Sequence, residues 1–166
     1  MNKIADDMDV ISLTQSLMRC PSVTPKDAGA LDVLQEALEK SGFVCHRLTF
    51  SDDDTPDVEN LYARFGTGAP NFCFAGHTDV VPVGDPGTWS VDPFDGTIRD
   101  GMIVGRGAAD MKAAVASFAV ASPRFIHENG GKFDGSISLL ITGDEEGPAI
   151  NGTRKVLDWM TANDEN

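Results

Sequence analysis

Long apolar runs are missing from this 166-residue sequence. No stretch approaches the ~20 apolar residues that a membrane-spanning helix needs. The first nine residues are polar and acidic and lack the basic start and apolar core of a secretory signal, so we expect a cytoplasmic protein. Cysteine is scarce as well: Cys20, Cys45 and Cys73 form no C-x-x-C pair, which argues against a disulfide framework and indicates reduced thiols.

Positive charge is also in short supply. Only 13 lysines and arginines stand against 26 acidic residues, for a formal net charge of −13. Such a chain repels phosphate backbones and anionic lipids, so we expect no nucleic acid and no membrane as partner. The acidic surface favours solubility, and a smaller part of it can attract metal cations. The length and the hydrophobic fraction of 41% are those of one folded domain with a core.

Apolar periodicity predicts alternating helices and strands. The predicted helices cover residues 10–20, 28–41, 111–127 and 152–161, and the predicted strands cover residues 43–50, 60–65, 72–76 and 136–142. Pro123 should kink the third helix or end it early, and the Gly- and Pro-rich segment 83–101 should form a long loop or hairpin. This order predicts an α/β fold with a three-layer architecture, in which a twisted, mixed or mostly parallel sheet carries helices on both faces.

Polar side chains follow two of these strands directly. His77 and Asp79 follow the run 72–76, and Glu145 and Glu146 follow the run 136–142. The first run is continuously apolar, which is typical of a strand buried on both faces, and the second is also predicted to be a buried strand. Because ligands of α/β sheets gather beyond the carboxyl ends of the strands, we expect these four residues to meet at one sheet edge.

His77 and Asp79 form a His-x-Asp pair. A single histidine after a strand is most often an ordinary surface or core residue. The carboxylate changes this interpretation, because side chains two positions apart on an extended segment point to the same side. A metal-ligating histidine usually donates its second ring N–H to a carboxylate, so Asp79 could orient His77 in this way.

Asp110 follows a glycine-rich turn and opens a predicted helix. Its position alone leaves two interpretations open: an N-cap that accepts backbone N–H bonds, or a metal ligand. A dinucleotide-binding loop at Gly105-Arg106-Gly107 is disfavoured, because the third glycine of that motif is absent and Asp110 would repel phosphate.

Glu145 and Glu146 also allow two interpretations. They could form a solvated acidic turn, or they could divide the work, one binding metal and the other carrying a proton for acid–base chemistry. Histidine nitrogen and carboxylate oxygen are the ligands of hydrolytic zinc sites. Taken together and in this order, the three motifs therefore indicate a metal-dependent hydrolase.

The motifs resemble the M20 family of dinuclear zinc hydrolases, and the resemblance covers nearly the whole chain. The matching segments are residues 21–29, 74–82, 100–107 and 144–153. The last one, DEEGPAINGT, is the most discriminating within the family. The resemblance implies a zinc-exopeptidase-like fold and a cis peptide bond between Asp110 and Met111.

The resemblance also implies a role for each candidate residue. His77 would bind one zinc, Glu146 the second, and Asp110 would bridge both. Glu145 would be the general base, and Asp79 would orient His77. Two zinc ions per complete subunit are implied, with cobalt able to substitute.

The implied activity is hydrolysis of an amide bond in a small N-succinyl amino acid. N-succinyl-LL-2,6-diaminopimelate would give succinate and LL-2,6-diaminopimelate, a step of lysine and diaminopimelate biosynthesis. A water shared by the metals, deprotonated by Glu145, would attack the amide carbonyl. Another N-acyl-amino-acid deacylase, such as one acting on acetylornithine, and a non-catalytic fragment are the alternatives.

The family pattern requires two further ligands that this sequence does not contain, a later glutamate and a histidine near the C-terminus. His46 and His127 match neither position. We therefore expect residues 1–166 to be the N-terminal part of the catalytic domain, without its C-terminal part and without the lid and dimerisation domain. By this reasoning the chain alone is inactive, and a homodimer is expected only for the complete enzyme.

Overall fold

The computed structural model describes residues 9–165 as an alternation of helices and strands. The elements in chain order are α1 (Val10–Met18), α2 (Ala30–Lys40), β1 (Val44–Phe50), β2 (Val58–Phe65), β3 (Asn71–His77), β4 (Thr97–Arg99), β5 (Met102–Val104), α3 (Ala113–Glu128), β6 (Ser136–Thr142) and α4 (Thr153–Ala162). β4 lies inside segment 83–101, for which the sequence predicts a loop or hairpin, and it pairs with β5 just beyond that segment. Within residues 9–165, no helix is both long and apolar enough to cross a membrane.

Four strands form the central sheet, in the order β1-β2-β6-β3. β1 pairs with β2 and β2 with β6 in antiparallel fashion, whereas β3 and β6 are parallel. A short connection joins β1 to β2, while β3 reaches β6 through α3, the kind of crossover that parallel neighbours need. The mixed sheet is thus confirmed, but its parallel part is smaller than predicted, one pairing of three among the described strands.

Helices cover both faces of the sheet, as predicted. On one face, α1, α2 and α3 bury their apolar stripes against β2 and β6, with Leu61 and Leu139 fully buried between them. On the other face, α4 packs Val156 and Met160 against Tyr62 and Leu140. Because successive strand residues point to opposite faces, neighbours such as Leu139 and Leu140 serve the two cores separately.

Two local predictions are wrong. The run 72–76 is not buried on both faces: β3 is an edge strand among the described strands, and Phe72 is 66% exposed. Apolar composition shows that a strand can be buried, not how many neighbours it has. The early end at Pro123 is also wrong, since α3 continues to Glu128. Tertiary burial on either side of the proline, for example at Val120 and Ile126, stabilises the helix beyond it.

Candidate metal centre

The end of β3 and the end of β6 place the candidate residues at one edge of the sheet. His77 is the last residue of β3 and is paired in register with Thr142, the last residue of β6. The N–H of Thr78 extends this pairing by donating to the Thr142 carbonyl at 3.1 Å. Residues that follow either strand therefore leave the sheet side by side, as expected for parallel neighbours.

The imidazole of His77 is buried and faces two carboxylates. Its Nε2 lies 3.1 Å from Oδ1 of Asp110 and 3.7 Å from Oε2 of Glu145. Its Nδ1 lies 3.0 Å from the backbone carbonyl oxygen of Asp79. The ring is thus held on one side by backbone and presents its second nitrogen to the acidic residues.

Asp110 reaches His77 from an irregular helical turn, Ala108–Lys112, which links β5 to α3. Within that turn Asp110 has an extended backbone, with φ −132° and ψ 99°, and the following peptide bond to Met111 is cis, as the resemblance implied. The N-cap interpretation is wrong, because α3 begins at Ala113 and its N-cap residue is Lys112. The Asp110 side chain is 74% exposed, so its carboxylate is open to solvent and to a ligand.

Glu145 and Glu146 lie in the turn that follows β6. One ligand atom each from His77, Glu145 and Glu146 can be chosen so that all three lie within 4.8 Å of one another. The turn is held by Asp79, whose carboxylate accepts hydrogen bonds from the N–H groups of both glutamates at 2.9–3.2 Å. The pair is therefore more than a solvated acidic turn, because its backbone is anchored to a buried carboxylate beside His77.

Charge crowding perturbs the titration of this cluster. Burial lowers the pKa of His77, but the contacts with Asp79 and the charges of Asp79 and Glu145 outweigh it and raise the pKa to about 9. Burial raises the pKa of Glu146, and the nearby charges of Asp110 and Glu145 raise it further. Burial also raises the pKa of Asp79, yet the contact with His77 and the backbone N–H groups of Glu146 and Glu145 bring it below its usual value.

The donor set fits a zinc ion. One imidazole nitrogen and carboxylate oxygens are ordinary zinc ligands, and a cation among crowded carboxylates relieves the repulsion that raises the pKa of Glu146. Asp110 is not part of that group of three, but its Oδ1 lies 3.1 Å from Nε2 of His77. His46 and His127 are not part of the cluster around His77. His46 lies on β1 and stacks against Tyr62 of β2, and His127 is exposed at the end of α3.

Sequence reasoning overlooked Lys112. Its side chain is fully buried, and its ammonium group donates to the carbonyls of Leu17 and Cys20 at 2.9 and 2.7 Å. These carbonyls lie at the carboxyl end of α1, so Lys112 fixes the turn that carries Asp110 to that helix. Burial lowers the pKa of Lys112 to about 8. A lysine at the start of an apolar helical segment, directly after Asp110-Met111, was the signal that could have revealed it.

Comparison with known proteins agrees with this geometry. The sequence model of Peptidase family M20/M25/M40 matches residues 73–166, more than half of the chain. The chain is 65% identical over 154 residues to a succinyl-diaminopimelate desuccinylase of Rhodospirillum centenum, covering 93% of this chain and 40% of the relative. A protein of the same name from Parvibaculum lavamentivorans is 60% identical over 161 residues, covering 97% of this chain and 40% of the relative. This chain thus spans about 40% of the length of these curated relatives.

Solved structures share the fold. Human carnosine dipeptidase 1 superposes with a TM-score of 0.77 at 19% identity, covering 95% of this chain and 37% of that one. The M20 family metallo-carboxypeptidase Sso-CP2 of Sulfolobus solfataricus gives 0.73 at 21% identity, covering 93% of this chain and 34% of that one. At such identities the likeness concerns the fold alone. With the family match over most of its length and a cluster of metal-ligand type at the sheet edge, the chain belongs to peptidase family M20/M25/M40.

Proposed function

We propose that the complete protein hydrolyses the succinyl amide of N-succinyl-LL-2,6-diaminopimelate to succinate and LL-2,6-diaminopimelate. The observation that carries the proposal is the meeting of His77, Asp110 and the Glu145-Glu146 turn at one sheet edge. The relatives at 60–65% identity, which are named succinyl-diaminopimelate desuccinylases, support the substrate class. A cytoplasmic location and a homodimer of the complete protein belong to the same proposal.

Two zinc ions are part of this proposal. His77 would hold one, Glu146 the other, and Asp110, with its open carboxylate 3.1 Å from His77, would contribute to both. Bound zinc supplies Lewis acidity, which polarises a carbonyl and lowers the pKa of water. The chain spans about 40% of its relatives, so the remaining ligands and the lid are assigned to the part that it does not cover.

Glu145 is proposed as the general base. Its carboxylate is 57% exposed and lies 3.7 Å from the His77 ring, where it can accept a proton from the attacking water and return it to the leaving amine. Glu146, next to it in sequence, would be fixed as a ligand. The proposal is supported by the backbone N–H groups of both residues, which donate to the Asp79 carboxylate and so fix the backbone from which the two side chains depart.

The test is a chimera in which residues 1–166 replace the matching region of the Rhodospirillum centenum desuccinylase. Glu145→Gln in this chimera should keep its zinc content but lose turnover by ~10²–10⁴-fold, the usual contribution of a general base. Glu128→Gln, on an exposed glutamate at the end of α3, is the matched control and should leave turnover unchanged. Near-normal succinate release by Glu145→Gln would remove Glu145 from the mechanism.

The same chimera tests the substrate. Succinyl-diaminopimelate and N-acetylornithine should be compared under identical zinc concentrations. We expect kcat/KM to be larger for the succinylated substrate, in line with the names of the relatives. A preference for N-acetylornithine would refute the proposed substrate but leave the proposed hydrolytic chemistry in place.

A further inference from the structure

We propose that the Asp79 carboxylate is a positioning group for the Glu145-Glu146 turn, in addition to the contact with His77 that the resemblance implies. This inference rests on the proposed function only where it concerns metal affinity, since the hydrogen-bond pattern exists in the chain without metal.

Asp79 contacts His77 through both its backbone and its side chain. Nδ1 of His77 lies 3.0 Å from the Asp79 carbonyl oxygen and 3.5 Å from the nearest Asp79 carboxylate oxygen. Both oxygens can only accept, so Nδ1 donates towards Asp79. The contact with His77 therefore leaves most of the accepting capacity of the carboxylate for other donors.

The other contacts of the carboxylate point to the turn. One oxygen of Asp79 lies 3.2 Å from the Glu145 nitrogen, and the other lies 3.1 Å from the same nitrogen and 2.9 Å from the Glu146 nitrogen. Two consecutive N–H groups therefore converge on one carboxylate that is only 1% exposed. The backbone from which both glutamate side chains depart is set by this buried group.

Asp79 thereby couples the two strand ends. Its backbone carbonyl contacts the ring of His77 at the end of β3, and its carboxylate holds the turn that follows β6. Catalytic groups lose much of their effect when displaced by about 1 Å, so a loosened turn should weaken metal binding through Glu146 even with His77 in place.

Asp144 provides a matched control within the same turn. It is 3% exposed, and its carboxylate also accepts three backbone N–H groups, from Ala149, Ile150 and Asn151 at 3.2, 2.9 and 3.0 Å. Its hydrogen bonds organise the segment after Glu146. Asp144→Asn thus removes a comparable number of buried backbone contacts without touching the N–H groups of Glu145 and Glu146.

The experiment compares Asp79→Asn with Asp144→Asn in the 166-residue chain by NMR. An asparagine amide is uncharged, and its NH₂ group would face the Glu145 N–H in place of one of the accepting oxygens. Asp79→Asn should therefore speed hydrogen exchange at the amides of Glu145 and Glu146 and leave exchange at residues 149–151 unchanged. Asp144→Asn should speed exchange at residues 149–151 instead. In the chimera, Asp79→Asn should weaken zinc binding ~10–100-fold, the usual effect of losing a group that orients ligands.

Unchanged exchange at the amides of Glu145 and Glu146 in Asp79→Asn would overturn the inference. If Asp79→Asn does not fold, the wild-type chain still decides: scalar couplings across hydrogen bonds should link the two glutamate amides to the Asp79 carboxyl carbon. Absence of these couplings at both glutamate amides would overturn the inference. Failure of the wild-type chimera to bind zinc would count against the proposed function and leave the NMR result standing.

Discussion

At the scale of single residues, His77 meets two opposed demands. Without metal, the carboxylates around it favour the imidazolium ion, and contacts that outweigh the effect of burial raise its pKa to about 9. Zinc instead needs the neutral ring. Binding of the metal must therefore displace a proton from His77 at neutral pH, so this residue makes the centre sensitive to pH.

The raised pKa predicts how the stability of the metal-free chain depends on pH. Because the folded pKa of His77 lies above its ordinary value of 6.5, its protonation stabilises the fold fully below about pH 6.5. That contribution is lost as the pH rises through about 9. The difference in unfolding free energy between wild type and His77→Gln should therefore shrink from pH 6 to pH 9.5 in urea titrations with chelator present.

His127→Gln is the control for this measurement, because His127 is exposed at the end of α3. Its difference from wild type should change little over the same range. If the difference in unfolding free energy between wild type and His77→Gln grew with pH, folding would favour the neutral ring. The assignment of a positive charge to His77 in the metal-free chain would then be wrong.

The grouping of the candidate residues at one sheet edge was predictable, but their hydrogen-bond partners were not. The strand-end rule alone brought His77 and the Glu145-Glu146 pair to one edge, because parallel strands end together. The sequence could not tell that the Asp79 carboxylate serves the glutamate turn, since this depends on hydrogen bonds between residues 66 and 67 positions apart. Lys112 was missed for the same reason: its carbonyl partners lie more than 90 residues away.

At the scale of elements, the turn before α3 controls where Asp110 lies. Gly107 opens the turn with φ +78°, a left-handed conformation that side chains disfavour. A Cβ atom placed on Gly107 would lie 2.7 Å from Cγ1 of the buried Val80, which follows Asp79 directly. The turn therefore packs against the segment that follows β3, and this packing needs glycine.

Gly107→Ala should consequently destabilise the fold more than Gly84→Ala. Both glycines have similar positive φ values, +78° and +75°, but a Cβ atom at Gly84 meets nothing within 4 Å. The backbone strain thus cancels in the comparison, and the clash with Val80 remains. We expect Gly107→Ala to cost about 1–3 kcal/mol more, the usual cost of overpacking, as measured by urea denaturation. Equal losses for the two variants would mean that Val80 yields freely and that the close packing has no energetic consequence.

Elements differed in how well their patterns predicted them. β6 was predicted with its observed bounds, residues 136–142, because its apolar run is buried on both faces. β3 gave the same signal but lies at an edge, since periodicity reports the side chains of a strand and not its neighbours. The apolar pattern could not predict the pairing within the mixed sheet either, because the antiparallel pairing of β2 with β6 depends on the topology of the chain.

At the scale of the whole molecule, the chain holds a compact core and only part of the expected centre. The apolar surface is well covered on both faces of the sheet, but Phe72 on β3 and Phe125 on α3 are 66% and 45% exposed. The relatives are about two and a half times as long, since the chain spans 40% of them. The described part thus forms the sheet with helices on both faces, whereas the proposed set of zinc ligands is not complete within it.

The 166-residue chain alone should therefore bind zinc weakly and release little succinate. In the proposed assignment its described residues offer His77 and Asp110 for one ion, and Asp110 and Glu146 for the other, whereas catalytic zinc usually has about three protein ligands and a water. Calorimetry should give a zinc affinity ~10–100-fold weaker than that of the chimera, because the groups that hold and orient the ligands are incomplete. His77→Ala in the same chain should abolish binding of the first ion, because His77 is one of its two proposed ligands, and should leave only the weak pair Asp110 and Glu146. Succinate release from succinyl-diaminopimelate is measured with excess zinc for chain and chimera side by side. Turnover of the chain within about tenfold of the chimera would show that the residues already present suffice, and the division of ligands between the two parts would have to be abandoned.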